Sequence, residues 1–379
     1  MMRKVWVLPF VLLASVMWAQ DSGQIDVEHY NIVAEVNPST QTVSARAEVK
    51  FAAKQNGVRQ VNFELNNALR VTRVTNAAGE SLTANRNPER HQLEVNFPVA
   101  LAIDEPITLV IDYNGRLSGK EESPVYGIRF AAITPEYSYL LYPARWFPVS
   151  GYTTDRFAAT IRVTVPEDRM VVARGIRTTE PAPAGRKTYV FEYSQQSFPG
   201  SIAVVGGQPQ SVSAQGVTTL LYFRGQQEQY GQAYGELTGR LVTFYTGQFG
   251  LPPSASLTLV QTEDGAPFGY SAPGLVFLAP GAIREETNAR VLANQVSRQW
   301  WGALVSPSSR DHIWLTNGLA RYSEELFTEE TAGEGALEAQ MRDVFVDALT
   351  VEEIPVLQAA RYDDYSPEFW ALSGSKGAA

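Results

Sequence analysis

Cysteine is absent from this chain, and histidine occurs only at His29, His91 and His312. The lack of cysteine excludes disulfides, a thiol nucleophile, thiolate zinc ligands and a lipid anchor on cysteine. Basic residues number 31 against 40 acidic ones, and this negative balance disfavours nucleic acid as a partner. Apolar residues are plentiful at 44%, so a chain of 379 residues can bury the cores of two domains.

The first 19 residues have the form of a secretory signal peptide. Arg3 and Lys4 supply the positive start, residues 5–16 an apolar run, and Ala19 a small residue at the cut. A membrane anchor is the competing interpretation, but the run is shorter than the roughly 20 apolar residues that span a bilayer. We therefore predict a periplasmic or secreted protein without a membrane span after signal removal.

Residues 25–209 show the period of half-buried β-strands. Apolar and polar residues alternate over residues 43–51 and 157–165, and turn signals recur at Asn114-Gly115 and residues 166–168. This pattern predicts a large antiparallel β-sandwich. A carbohydrate-binding sandwich is an alternative, but it leaves the second half of the chain unexplained.

The period changes after residues 206–216, which are rich in Gly, Gln and Ser and indicate a domain boundary. Residues 230–245 follow helical spacing, whereas residues 257–260 and 275–278 have the character of strands. We therefore expect an α+β domain over residues 217–379.

Two helices are predicted on either side of a break at residues 306–309. An apolar stripe at Leu292, Val296 and Trp300 indicates the first helix. Ser309 or Asp311 is expected to cap the second helix. The predicted buried side of the second helix contains Ile313, Leu315, Leu319 and Tyr322.

The same region contains the segments Gln299-Trp300-Trp301-Gly302, Leu304-Val305, Trp314-Leu315, Gly318-Leu319-Ala320 and Tyr322-Ser323-Glu324. On these segments it resembles the M1 zinc aminopeptidases, the aminopeptidase N-like gluzincins. The resemblance implies a saddle-like β-domain over residues 25–209 and a thermolysin-like catalytic-type domain over residues 217–379. It also implies that the chain stops inside that second domain.

The residues that carry the chemistry of that family are replaced here. The resemblance implies three zinc ligands, a general base, a glutamate that binds the substrate amino group and a tyrosine that stabilises the oxyanion. It therefore implies an inactive pseudopeptidase without zinc, although active relatives hold zinc. The ligand positions hold Asn294, Arg298 and Asn317, and the other three hold Gln295, Ser271 and Gly374.

Two features could still serve binding. The segment Gly269, Tyr270, Ser271 and Ala272 is either a retained peptide-docking edge or a surface turn, and the sequence leaves both open. Arg298 is expected to pair with Glu324 in place of the metal charge.

A different function stays open beside the pseudopeptidase. An active zinc aminopeptidase would need an unrecognised site, for which His312 with Glu324 or Glu325 is the candidate set. Nothing at ligand spacing supports that set, because Asn and Arg side chains cannot replace two imidazoles and a carboxylate around zinc. The preferred partner is a peptide or another protein.

Overall fold

The structure is a computed structural model that describes residues 24–119, 127–362 and 366–379. The predicted signal peptide over residues 1–19 lies outside these ranges. Within them, no helix has the length and apolar character needed to cross a membrane.

The described residues of the first half form three β-sheets. Their strands are β1 (Ile25–Asn37), β2 (Thr42–Ala53), β3 (Val58–Glu64), β4 (Leu69–Asn76), β5 (Thr83–Asn87), β6 (Gln92–Leu101), β7 (Pro106–Arg116), β8 (Ala131–Ile133), β9 (Ser138–Leu140), β10 (Phe157–Pro166), β11 (Met170–Val172), β12 (Ile176–Glu180), β13 (Arg186–Ser197) and β14 (Ile202–Val205). The sheet orders are β12-β13-β10-β1-β2-β7-β4, β3-β6-β5 and β11-β14-β9-β8.

The seven-stranded sheet is antiparallel except for one pair. Strand β1 runs parallel to β10, with Ile32 opposite Ile161. Alternate residues of β2 and β10 are buried, as their sequence period predicts. Buried side chains of the large and the three-stranded sheet form one apolar core, in which Tyr30, Phe147 and Phe157 make edge-to-face contacts.

The turn predicted at Asn114-Gly115 is wrong, because both residues lie inside β7. Gly115 is required there for a different reason. A Cβ at this position would lie 2.2 Å from the carbonyl oxygen of Ala68, so only glycine permits the close approach of the two backbones.

The part of the second half that the structure describes contains a five-stranded sheet and six α-helices. Its strands are β15 (Gln210–Ala214), β16 (Val217–Tyr222), β17 (Ser256–Gln261), β18 (Gly269–Ala272) and β19 (Leu275–Leu278), in the order β15-β16-β17-β19-β18. Its helices are α1 (Gly231–Phe249), α2 (Ala289–Ser297), α3 (Trp314–Ala332), α4 (Glu334–Leu349), α5 (Pro367–Trp370) and α6 (Lys376–Ala378).

Most of the polar segment expected to mark the domain boundary, residues 206–216, belongs to this second sheet. Residues 210–214 form β15, which pairs with β16 across a turn at Gln215 and Gly216. Both turn residues have positive φ, at 53° and 76°. Gln215 and Gly216 therefore form the turn of a β-hairpin. The chain crosses from the first half to the second just before residue 210.

The two helices of the predicted site region differ in detail from their sequence pattern. Helix α2 ends at Ser297, so Trp300 is buried in the turns that follow the helix. Helix α3 starts after a short 3-10 turn, with Ile313 as an N-cap that makes no side-chain capping bond. Ser309 does not cap it, because its hydroxyl pairs with Nδ1 of His312 at 2.8 Å. Tyr322 is 42% exposed and lies outside the buried side.

The last residues pack closely against α3. Gly318 and Gly377 meet backbone to backbone, so a Cβ on Gly318 would lie 2.5 Å from the carbonyl carbon of Gly377. Lys376 Nζ donates to the carbonyls of Val351, Glu352 and Ile354 at 2.7–3.1 Å. This lysine thereby satisfies carbonyls just beyond the end of α4.

We predict that Gly318→Ala lowers the free energy of unfolding by about 1–3 kcal/mol, because the methyl group would meet backbone that cannot move aside. Gly247→Ala in α1 is the matched control. No atom lies within 4 Å of its Cβ position, so the gain in helix propensity should stabilise the protein by about 0.5–1 kcal/mol. Urea unfolding of both variants tests this, and equal effects would contradict the packing argument.

Candidate functional site

A cleft of about 1410 Å³ lies between the two halves of the chain. Tyr142, Tyr152 and Phe198 line it from the first half, and Tyr270 and Trp301 from the second. The end of α2 and the start of α3 also face it, through Gln295, Arg298, Thr316 and Asn317. The docking segment Gly269–Ala272 lies on the surface of the same cavity, whereas Asn294, Glu324 and Gly374 are not among its lining residues.

The structure brings the three family ligand positions together around a guanidinium group. Arg298 Nε donates to Oδ1 of Asn294 at 3.1 Å, and Nη1 donates to Oδ1 of Asn317 at 3.1 Å. Asn294 lies one helical turn before Arg298, and Asn317 lies in the first turn of α3. Asn317 Nδ2 in turn donates to the hydroxyl of buried Ser373 at 3.0 Å.

This donor set does not fit zinc. The guanidinium has no lone pair to offer near neutral pH, and it already uses the Oδ1 atoms of both asparagines as acceptors. Across the described ranges, no group of three or more His, Cys, Asp or Glu side chains is arranged to hold a metal. His312, part of the alternative set, is an exposed residue that pairs with Ser309.

Gln295 occupies the position of the family's general base. Its Nε2 donates to Oδ1 of Asn294 at 3.2 Å, and its side chain packs against the backbone of Gly269, whose Cβ position lies 2.9 Å from Cγ of Gln295. An amide oxygen is a weak base, so Gln295 can orient neighbours but cannot accept a proton from water as a carboxylate does.

The segment Gly269–Ala272 forms β18, a strand at the edge of its sheet, and not a surface turn. Within the sheet described it pairs only with β19, where Tyr270 lies opposite Phe277 and Ser271 opposite Val276. Its other side is directed away from the sheet, so backbone groups at this edge are placed to pair with another extended chain.

Gln299 holds the end of this edge strand. It is 1% exposed, and its Nε2 donates to the hydroxyl of Ser271 at 2.9 Å and to the carbonyl of Ala272 at 3.0 Å. Its Oε1 accepts from the backbone N–H of Gly274 at 2.8 Å. In the sequence, Gln299 is part of a matching segment, and no function is predicted for it. The structure shows that it links the turns after α2 to β18.

Glu324 is not paired directly with Arg298 as expected. Its carboxylate accepts from Arg290 Nε at 2.8 Å and Arg321 Nη1 at 3.4 Å, and Asn294 Nδ2 donates to its second oxygen at 3.3 Å. Arg298 and Glu324 are therefore connected through Asn294. Arg290 takes the expected role because it lies one turn before Asn294, and two turns before Arg298, on the side of α2 that faces α3.

A second carboxylate, that of Glu325, lies beside the same two arginines as Glu324. Glu325 is fully buried, and its Oε1 lies 3.3 Å from Arg321 Nε and 3.7 Å from Arg290 Nη2. Burial raises the pKa of Glu325, and the neighbouring charge of Glu324 raises it further. Two arginines thus face two buried carboxylates, and the local charge is balanced without a metal ion.

Gly374, at the oxyanion-donor position, is buried in a short π-helical turn over Ala371–Ser375. Its Cβ position has Trp370 as its nearest neighbour, at 3.7 Å. Glycine supplies no hydroxyl here, so this position offers the cleft no side-chain donor for a developing oxyanion.

Asp155 lines the cleft from the first half. Its Oδ2 accepts from the backbone N–H of Val27 at 3.0 Å, at an irregularity in the β1–β2 pairing, and Oδ1 lies 3.7 Å from Lys54 Nζ. Burial raises the pKa of Asp155 to about 6, since the favourable contacts with Val27 and Lys54 offset only part of the desolvation and Asp26 adds repulsion.

Comparison with known proteins agrees with this architecture. Among curated sequences, aminopeptidase N of Acetobacter pasteurianus is 24% identical over 293 residues, 71% of this chain and 78% of that protein. No family model matches the chain.

Two solved structures show the same fold. The M1 zinc metallopeptidase of Deinococcus radiodurans superposes with a TM-score of 0.71 at 21% identity, over 94% of this chain and 81% of that one. A point mutant of that enzyme bound to a Tyr-Ser-Ala substrate gives the same TM-score at 22% identity. The chain is therefore similar in sequence to an aminopeptidase N and has the two-part fold of an M1 zinc metallopeptidase, as its sequence predicted.

We predict that Arg290→Met destabilises the protein by about 1–2 kcal/mol. The value is below the roughly 3–5 kcal/mol of a fully buried pair, because Arg290 is 44% exposed and Arg321 remains beside Glu324. Adding Glu324→Gln should recover at least half of the loss, as urea unfolding can measure. Arg46→Met, at a surface pair with Asp112, is the control and should cost less than about 1 kcal/mol. Strictly additive effects at Arg290 and Glu324 would contradict the pairing.

A second prediction concerns pH. The folded pKa of Asp155 lies above the ordinary value of 3.8, so its ionisation opposes folding. The stability of the wild type relative to Asp155→Asn should be highest near pH 4, fall as the pH rises towards 6, and then level off. Urea unfolding from pH 4 to pH 8 measures this difference. A difference that grows with rising pH would show that the folded pKa is depressed.

Proposed function

We propose that this protein is a catalytically silent, exported M1 homologue that uses its cleft to bind peptides or an extended protein segment. The observation that carries the proposal is the guanidinium of Arg298, which donates to both Asn294 and Asn317 at 3.1 Å. A cation fixed to the chain thus lies between Asn294 and Asn317, and it would repel a metal ion bound to the same two oxygens.

The remaining catalytic positions support the same conclusion. Peptide hydrolysis needs an activated water, a base to deprotonate it and donors for the oxyanion. Gln295 is a neutral amide and Gly374 has no side chain. Loss of one oxyanion donor alone usually costs about 10²–10³-fold in rate, so a site without any of these parts should work at background.

The edge strand β18 supports a binding function. An extended peptide can add to such an edge through main-chain hydrogen bonds, while neighbouring pockets select its side chains. Tyr270, Tyr152, Phe130 and Phe198 line the same cleft, and they favour apolar or aromatic side chains. Ser271 is neutral and held by Gln299, so a ligand gains no carboxylate partner for a free amino terminus at this position.

Export is supported by Arg3 and Lys4 followed by the apolar run of residues 5–16. An exported binding protein meets peptides outside the cytoplasm, which is consistent with an open cleft between the two halves. Mass spectrometry of the mature amino terminus tests this part of the proposal.

We predict that the purified protein, with or without added zinc, does not release tyrosine from Tyr-Ser-Ala above the rate of a buffer blank. Gln295→Glu should also be inactive, since a carboxylate alone does not restore the metal ligands. Release can be followed by chromatography of the free amino acid. Zinc-dependent release that survives further purification would establish the alternative, an active aminopeptidase.

We also predict binding without a need for a free amino terminus. In affinity selection from a pool of synthetic octapeptides, free and acetylated forms of the same sequences should be retained alike. Tyr270→Ala should weaken binding by about tenfold or more, equivalent to at least 1.4 kcal/mol, because it removes a wall of the cleft. Tyr322→Ala, a 42% exposed tyrosine outside the cleft, is the control. Retention of neither form would contradict peptide binding.

A further inference from the structure

The two halves of the chain meet through two contacts of different kinds. In the first, the sheet containing β8, β9 and β14 shares an apolar core with β17, β18 and β19. The buried side chains of this core include Ala132, Tyr139, Leu141 and Ala203 from the first half and Val260, Ala272, Leu275 and Phe277 from the second. We call this contact the apolar joint.

Glu263 reinforces the apolar joint. Its two oxygens accept from the hydroxyls of Tyr137 at 3.1 Å and Tyr139 at 2.7 Å, and Arg129 Nη1 lies 3.3 Å away. The backbone N–H of Arg129 also donates to the carbonyl of Gly265 at 2.7 Å. Separation here would expose apolar surface and break these bonds together.

The second contact is made by Arg156, directly before β10. Its Nε donates to the hydroxyl of Ser306 at 2.9 Å, and Nη1 and Nη2 donate to the carbonyls of Ala303 and Leu304, each at 3.0 Å. The guanidinium also lies 5.0 Å from the centre of the Phe198 ring. All three acceptors belong to the turns between α2 and α3.

Water can replace the interactions of the two contacts to different degrees. On opening, each hydrogen bond of Arg156 is exchanged for one with water, so its net contribution to closure is small. The apolar joint loses burial that water does not compensate. Opening should therefore begin at Arg156.

We propose that Arg156 is a clasp that holds the cleft closed, and that the two halves hinge about the apolar joint when the clasp is released. The residues that accept from Arg156 come shortly after Arg298 in the chain. The clasp therefore also ties the segment that contains Arg298 to the first half. This claim concerns the motion of the protein alone and holds whatever the cleft binds.

The absence of cysteine makes the test direct, because an introduced cysteine pair carries the only labels. Nitroxide labels at Gln55→Cys and Ser308→Cys, two exposed positions that line the cleft from opposite halves, report the side of the clasp. Labels at Glu136→Cys and Gln226→Cys, both exposed, report the side of the apolar joint. Pulsed electron paramagnetic resonance then gives both distance distributions with and without Arg156→Ala.

We expect Arg156→Ala to add a longer distance to the pair at 55 and 308, and to leave the pair at 136 and 226 unchanged. Arg156→Lys keeps the charge but not the three-way geometry and should give a smaller population of the longer distance. Arg162→Ala is the matched control, since this arginine lies on β10, close to Arg156 in the chain, but binds Asn31 and Glu180 of its own half. Unchanged distances in Arg156→Ala would overturn the clasp, and a shift of both pairs would overturn the hinge. If Arg156→Ala does not fold, the two label distances in Arg156→Lys are judged by the same criteria.

Discussion

The centre of this structure depends on one side chain, the guanidinium of Arg298, held by the amide oxygens of Asn294 and Asn317. Together these residues join the end of α2 to the start of α3, a connection that a metal ion makes in zinc peptidases. A guanidinium differs from an ion in two respects. It is covalently part of the chain, and its planar N–H groups donate hydrogen bonds, whereas a metal ion is bound directly by the lone pairs of its ligands. The two asparagines beside Arg298 serve as acceptors for these N–H groups.

The charges around this centre are paired with one another. Glu324 and Glu325 are almost completely buried, and a buried carboxylate without a partner is costly. Arg290 and Arg321 supply their counter-charges, while Asn294 is neutral and contacts both Glu324 and Arg298. The fold itself is held by apolar cores in each half, and none of these polar residues belongs to them.

Local patterns in the sequence predicted much of this arrangement. The alternation in β2 and β10 reports which face of a strand is buried, and helical spacing brought Asn294 and Arg298 to one face of α2. Long-range features were not accessible in the same way. The parallel pairing of β1 with β10, the need for Gly115 beside Ala68 and the choice of Arg290 over Arg298 as partner of Glu324 depend on how distant segments meet. Spacing along one helix does not specify which residue of the next helix it will face.

The most direct test of the central claim is the zinc content of protein purified without chelators or immobilised metal, measured by mass spectrometry of the element and paired with thermal unfolding. Our account predicts far less than one zinc per chain and a melting temperature that dialysis against a chelator does not change, because Arg298 already holds Asn294 and Asn317. About one zinc per chain, removed by the chelator with a loss of thermal stability, would contradict it.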